Sequence, residues 1–237
     1  MIGVLAVFGV GRAVVAMPQH CGTGRAADWR AAATAAVGWF AANQRVDGTF
    51  TYSYDAGTGS ELDEYNWVRH AGVLLSLEQA ETAGIAAAAP VADRARDRVF
   101  QNITRAGDVA ALRDGTEPTA GGTALLVAAL AERREHRADP TDDELLHALG
   151  RYLVAQVQPG GQVDEYSDPD TLEPERGTPS IFTTSEVAFA LARMERLFPG
   201  EGFGEPVRTI THYVATRRAL DAGVVPDLGD HWMAYAV

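Results

Sequence analysis

Two kinds of apolar stretch alternate along the chain. Four segments carry one apolar stripe and one charged face. They are residues 26–45 (Trp29, Ala33, Ala36, Val37, Phe40), 87–105 (Val91, Val99, Ile103), 142–158 (Leu145, Leu146, Leu149, Leu153) and 205–220 (Val207, Ile210, Val214). Spacings of three and four predict amphipathic helices, with Thr141 as the cap of the third. Between them lie residues 73–77, 124–130 and 187–191, which are apolar almost all round. A helix with no polar face is buried on every side. The alternation therefore predicts two concentric layers, charged outer helices and apolar inner helices around a central funnel. One outer–inner hairpin takes about 50 to 60 residues, so about three and a half are present.

The chain also repeats itself. GWFAANQRVDGTFTYSYDAGTG, around Trp39, is related to RYLVAQVQPGGQVDEYSDPDTL, around Tyr152. Aligning Gly48 with Gly161 puts Asp55 on Asp168 and Thr58 on Thr171, an offset of about 113 residues. EYNWVRHAGVLLSLEQA is related to SIFTTSEVAFALARMER; a third relative starts at Thr119, and a fourth, GDHWMAYAV, at Gly229. The one extended stretch, residues 49–55, alternates Thr-Phe-Thr-Tyr-Ser-Tyr before the turn Ala56-Gly57-Thr58-Gly59. It predicts a short β-hairpin on the rim, with residues 163–166 as its repeat partner.

The Gln44-Arg45-Val46-Asp47-Gly48-Thr49-Phe50 stretch, degraded at Gln158-Pro159-Gly160-Gly161, resembles the Q-x-x-D-G-x-F/W element of α/α toroid proteins. That element is similar in the six-hairpin glycosidase and terpenoid-cyclase/prenyltransferase superfamilies. With EYNWVRHAG and DHWMAYA, the chain also resembles actinobacterial envelope proteins of this architecture. The resemblance implies an all-α toroid, here an incomplete arc of about four hairpins. It carries neither lipid chemistry across. Asp168-Pro169-Asp170-Thr171 lacks the last aspartate of a D-x-D-D motif, and Cys21, the only cysteine, lies outside the repeats of a fold whose zinc sites use cysteine.

Composition narrows the chemistry. The formal net charge is -12, without the basic face that nucleic acid requires. All 20 basic residues are arginine, so no lysine can form a Schiff base. A single cysteine permits no internal disulfide and no multi-cysteine metal site. The acidic loops around Glu61 and Asp168 lack the D-x-D-x-D-G order of a calcium loop. Neither a metal nor another cofactor is expected. Residues 1–24 form an apolar segment, with a signal anchor and a first core segment as alternative readings; 25–237 is the toroid. Membrane contact is expected through residues 1–17 if anywhere, which would make this an anchored or exported envelope protein.

Toroid substrates bind where the N-terminal ends of inner helices converge. The first such turn holds Tyr65, Asn66, Arg69 and His70, the third Thr183, Thr184, Ser185 and Glu186, and the fourth Asp230, His231 and Trp232. Glu186 and Asp230 are the candidate catalytic carboxylates and His70 an additional base. The structural alternatives are a hydrogen bond from His70 to a backbone carbonyl, helix-dipole stabilisation of Glu186 with Thr184 or Ser185 as the cap, Asp230 as an N-cap with Trp232 in the core, and a pairing of Arg69 with a loop acid such as Glu64. Arg69 is the expected clamp for an anionic group, with Asn66 and His231 as further polar contacts. Tyr52, Tyr54, Tyr65 and Trp232 would stack on sugar rings. These residues point to a carbohydrate-active protein engaging a cell-envelope glycan, or another small ligand, by acid/base cleavage or epimerisation. A non-catalytic helical scaffold, binding a protein partner or a second copy at the open edge, is the alternative. A terpenoid-cyclase-like activity is a third, which the charged pair Arg69-His70 disfavours.

Overall fold

The computed structural model describes residues 24–180, 182–222 and 231–236. The chain divides into two compact units, Met1–Ala36 and Val37–Val237. In the first, the beginning of helix α1 (Ala26–Asn43) carries an Arg25–Asp28 ion pair of 3.0 Å. None of the described helices is long and apolar enough to cross a membrane. The expected anchor segment, Asp230 and Cys21 lie outside the described residues.

The second unit continues through α2 (Trp67–Thr82), α3 (Ala89–Phe100), α4 (Ala120–Arg137), α5 (Asp143–Gln156), α6 (Thr183–Leu197), α7 (Gly204–Thr216), α8 (Arg218–Ala222) and α9 (His231–Ala236). Helices α2, α4, α6 and α9 pack one on the next, and α3, α5 and α7 each back an inner helix. This is the two-layer order that the hydropathy pattern predicts. Helix α4 shows why: every residue from Ala120 to Glu132 is buried, so it has layers on all sides. Helix α7 buries only Ile210 and Tyr213.

The long loops all lie at one end. They lead from outer to inner helices, through residues 44–66, 101–119 and 157–182, whereas the return connections are short. The opposite end is tied by arginine pairs that link the C-terminal halves of the inner helices to one another and to the N-terminal half of α3. Arg133 meets Glu78 at 3.1 Å and Asp93 at 2.7 Å, and Arg193 meets Glu132 at 2.8 Å. A partly buried network of this kind holds neighbouring hairpins in register.

The rim hairpin forms as expected, with β1 (Tyr54–Asp55) antiparallel to β2 (Ser60–Glu61). Its repeat partner does not: residues 163–166 make only isolated bridges, Val157 to Val163, Asp164 to Pro179 and Thr119 to Tyr166. The expected helix 87–105 stops at Phe100. A three-stranded antiparallel sheet follows, β3 (Ile103–Ala106), β4 (Val109–Asp114) and β5 (Glu117–Pro118). Two-residue turns at Gly107-Asp108 and Gly115-Thr116 connect its strands, with Gly107 and Gly115 at φ 60° and 65°, the backbone such turns demand. Thr141 is not the cap of α5. It belongs to a 3₁₀ turn, Pro140–Asp142, capped by Asp139, whose carboxylate accepts from the Thr141 amide at 3.0 Å.

The repeat is physical as well as textual. Gly48 and Gly161 adopt φ 88° and 91°. A Cβ on Gly48 would meet the Arg94 carbonyl oxygen at 2.4 Å, and one on Gly161 the Thr209 carbonyl oxygen at 2.5 Å. Each glycine seats its loop on the following outer helix. Asp55 accepts from the amides of Gly57 and Thr58, as Asp168 does from those of Asp170 and Thr171. We expect Gly161→Ala to cost about 2 to 4 kcal/mol, because strain and a backbone clash act together. A urea melt would show it, and a loss under about 0.5 kcal/mol would contradict this role.

Candidate functional site

The first turn of α2 is built on Asn66. Its side-chain oxygen accepts from the Arg69 amide at 2.8 Å, while its NH₂ donates to Asp114 Oδ2 at 2.6 Å. The Trp67 amide also donates to Asp114, at 3.0 Å. Asn66 is thus a cap with both ends of its side chain engaged. Arg69 is exposed and lies 5.1 Å from the Tyr52 ring centroid. Among the described residues it forms no salt bridge. Glu64, the partner considered from sequence, accepts instead from the Ser53 hydroxyl at 3.3 Å.

His70 faces outer helix α3. It is 2% exposed, and its Nε2 lies 2.8 Å from the Ala95 carbonyl oxygen. A carbonyl can only accept, so Nε2 carries the proton. Nδ1 then accepts from the Tyr65 hydroxyl, 2.6 Å away, which itself receives the Phe50 amide at 3.2 Å. Burial pushes the imidazole down to about 4, so the ring is neutral near pH 7. Both nitrogens are occupied, and none is left to move a proton. Tyr65 is tied into the same chain, and burial raises its phenol. The Tyr54 hydroxyl donates to the Gly59 carbonyl at 2.6 Å and holds the hairpin turn.

Glu186 lies elsewhere, in the first turn of α6, 9% exposed. Phe182, not Thr184 or Ser185, stands at the cap position of that helix, and its side chain makes no capping bond. Opposite Glu186 is Gly121, at the start of α4. A Cβ there would meet Glu186 Oε2 at 2.8 Å, Thr183 Oγ1 at 3.0 Å and Glu165 Oε1 at 3.5 Å. The missing side chain makes room for two carboxyl groups and a hydroxyl. Both carboxylates approach the one side-chain position that Gly121 leaves empty, so these two oxygens lie no more than about 6.3 Å apart. Glu165 is held by the Thr183 hydroxyl and the Gly121 amide, and burial raises its carboxyl above the ordinary range. The carbonyl of Glu165 also accepts from the Ala120 amide at 2.9 Å, which locks its loop to α4.

At α9, Trp232 stacks on Phe189 of α6, with centroids 5.9 Å apart and planes 29° apart. His231 is exposed against Trp232 and Tyr235. Phe189 is three residues beyond Glu186, on a neighbouring strip of the same helix. The structure thus gathers two groups from the sequence candidates, Tyr52 with Tyr65, Asn66 and Arg69, and His231 with Trp232. It joins Glu186 to Glu165, Thr183 and Gly121. Glu165 was legible only as part of an acidic loop, although the repeat register places it on Tyr52. No cluster of three or more His, Cys, Asp or Glu among the described residues could hold a metal ion. Asp164, in the same loop, is fully buried and anchors it by accepting from Gln158, Arg176 and the Gly177 amide at 2.8, 2.8 and 3.0 Å.

Neither a known family model nor a curated protein matches the sequence. Solved structures do match. A D-mannose isomerase superposes with a TM-score of 0.63 at 15% identity, over 79% of this chain and 53% of its own. A cellobiose 2-epimerase from Spirochaeta thermophila DSM 6192 gives 0.58 at 19%, over 77% and 51%. The GH76A alpha-1,6-mannanase from Salegentibacter sp. HEL1_6 gives 0.52 at 13%, over 88% and 84%. An inactive variant of the mannanase, with two aspartates changed to asparagine, was solved with alpha-1,6-mannotriose. This chain spans about half the length of the isomerase and the epimerase. At such identities the likeness establishes the fold alone, an α/α toroid.

Proposed function

We propose that the chain is a carbohydrate-active toroid domain that takes a glycan at the rim formed by the first turns of α2, α4 and α6. The observation that carries this is the pair Glu165 and Glu186 facing each other across Gly121. Two neighbouring carboxyls can protonate one oxygen and assist a nucleophile or remove a proton beside it. Glu165, its carboxyl raised by burial, is the general acid. Glu186 is the base or nucleophile, at a helix N-terminus that stabilises negative charge. Arg69 and Tyr52 form an outer edge that binds a ring or an acidic substituent, and Trp232 with His231 forms another. His70 holds the rim in place rather than transferring a proton. That three structures of similar fold are named for enzymes acting on sugars supports the substrate class. The resemblance to envelope proteins of this architecture makes a cell-envelope glycan the preferred substrate.

The test is product analysis by proton NMR, with alpha-1,6-mannotriose, cellobiose and mannose as substrates. New reducing ends would identify a hydrolase, and conversion of the reducing sugar without cleavage an epimerase or isomerase. If no sugar changes over a day at high protein concentration, while the chain melts cooperatively, the catalytic reading fails.

A further inference from the structure

The two copies of the repeat also differ behind the first turn of the inner helix. In the first copy, the space between the first turn of α2 and the outer helix α3 is filled. His70 reaches the Ala95 carbonyl, with Tyr65 and Phe50 packed against its ring. In the second copy the backbone is equivalent. The His70 amide donates to the Asn66 carbonyl, and the Thr184 amide to the Ser180 carbonyl. Asn66 accepts from the amide three residues on, and the Ser180 hydroxyl does the same for Thr183, at 3.4 Å. Thr184 therefore stands where His70 stands, and Pro179 where Tyr65 stands. Neither is long enough to reach α7.

What remains is a cavity of about 160 Å³ lined by Gln162, Pro179, Ser180, Thr184, Arg218 and Asp221, with Tyr213 as its floor. It adjoins a groove of about 700 Å³ along α7 that shares Gln162, Tyr213 and Asp221. A dry apolar cavity of roughly 150 Å³ admits a six-membered ring, so size permits one sugar ring. The lining is mixed. Pro179 and Tyr213 offer an apolar wall, and Gln162 and Ser180 both donate and accept. The Asp221 carboxylate is paired with Arg217 at 3.4 Å, and Arg218 donates to the Ser185 hydroxyl at 3.1 Å. Charges already engaged disfavour a free anion. Donors and acceptors beside an apolar wall suit the hydroxyls and flat face of a neutral pyranose.

We propose that this cavity is a second saccharide site, for one neutral pyranose unit, on the far side of the α6 first turn from Glu186. Successive helix residues turn by about 100°, so Thr184 and Glu186 point to opposite sides. The inference extends the sugar reading of the rim, but needs neither carboxylate.

The experiment restores in the second copy what fills the first. Calorimetric titration with D-glucose and with D-mannose is compared for the wild type, Thr184→His and Gln162→Ala. At least one sugar should bind the wild type. Both Thr184→His and Gln162→Ala should weaken that binding roughly tenfold or more. If Thr184→His fails to fold, Gln162→Ala alone must show the loss. Absence of any monosaccharide binding overturns the proposal, as does binding that survives the cavity variants. Binding that survives both cavity variants would place the sugar elsewhere on the rim, leaving the proposed function intact and this cavity without a role.

Discussion

Glu186→Gln should lower turnover by about a thousandfold while leaving the melting temperature within a few degrees of wild type, since positioned acid–base groups supply roughly 10² to 10⁴ in rate. Glutamine keeps the size and hydrogen-bonding reach of glutamate, so the packing against Gly121 and Thr183 survives. It removes the charge and the ability to take a proton. Glu165→Gln should lose a similar factor, because burial favours the protonated form that the acid role needs and glutamine has no proton to give. The two losses should not add, since acid and base act on one transition state. The measurement is steady-state kinetics on whichever sugar the product analysis identifies, beside a melt of each variant. Full activity in both variants would remove the pair from the chemistry.

His70→Phe should have its large effect on stability, not on turnover. It keeps a ring in the core but strands the Tyr65 hydroxyl and the Ala95 carbonyl, at about 2 to 4 kcal/mol near pH 7. The pH dependence gives a sharper reading. The folded imidazole titrates at about 4, below the ordinary 6.5. Between those values the unfolded chain binds the extra proton, so wild-type stability rises with pH. The contribution is complete above 6.5 and is lost as pH falls towards 4, by about 3 kcal/mol in total. The gap between wild type and His70→Phe should therefore shrink over that range in urea melts. A gap independent of pH would contradict a neutral buried histidine. Loss of turnover at full stability would return it to the catalytic candidates.

The layered fold was legible because it depends on periodicity. A helix such as α4, buried from Ala120 to Glu132, has no choice but to be apolar all round. The sheet between Ile103 and Pro118 was not legible. The middle of its central strand reads Ala110-Ala111-Leu112, all three fully buried, so no alternation announced it. The turn dipeptides Gly107-Asp108 and Asp114-Gly115 were the available signal. At the site, spacing along one helix showed that Asn66 and His70 share a face. Whether that face met the funnel or the outer helix depended on Ala95, 25 residues away in sequence. Glu165 escaped for a related reason. Its partner across the site is set by the missing side chain of Gly121, and a glycine at the start of an inner helix gives no hint of what fills the space it leaves.

The most direct test of glycan binding at the rim is a ligand-induced thermal shift of the intact chain. Neutral, uronic and sulfated oligosaccharides would be run with the wild type and with the double variant Glu165→Gln, Glu186→Gln. At least one oligosaccharide class should raise the melting temperature of both proteins, because the double variant loses chemistry but keeps the rim. A cooperative melt unmoved by every sugar would contradict a carbohydrate-active toroid.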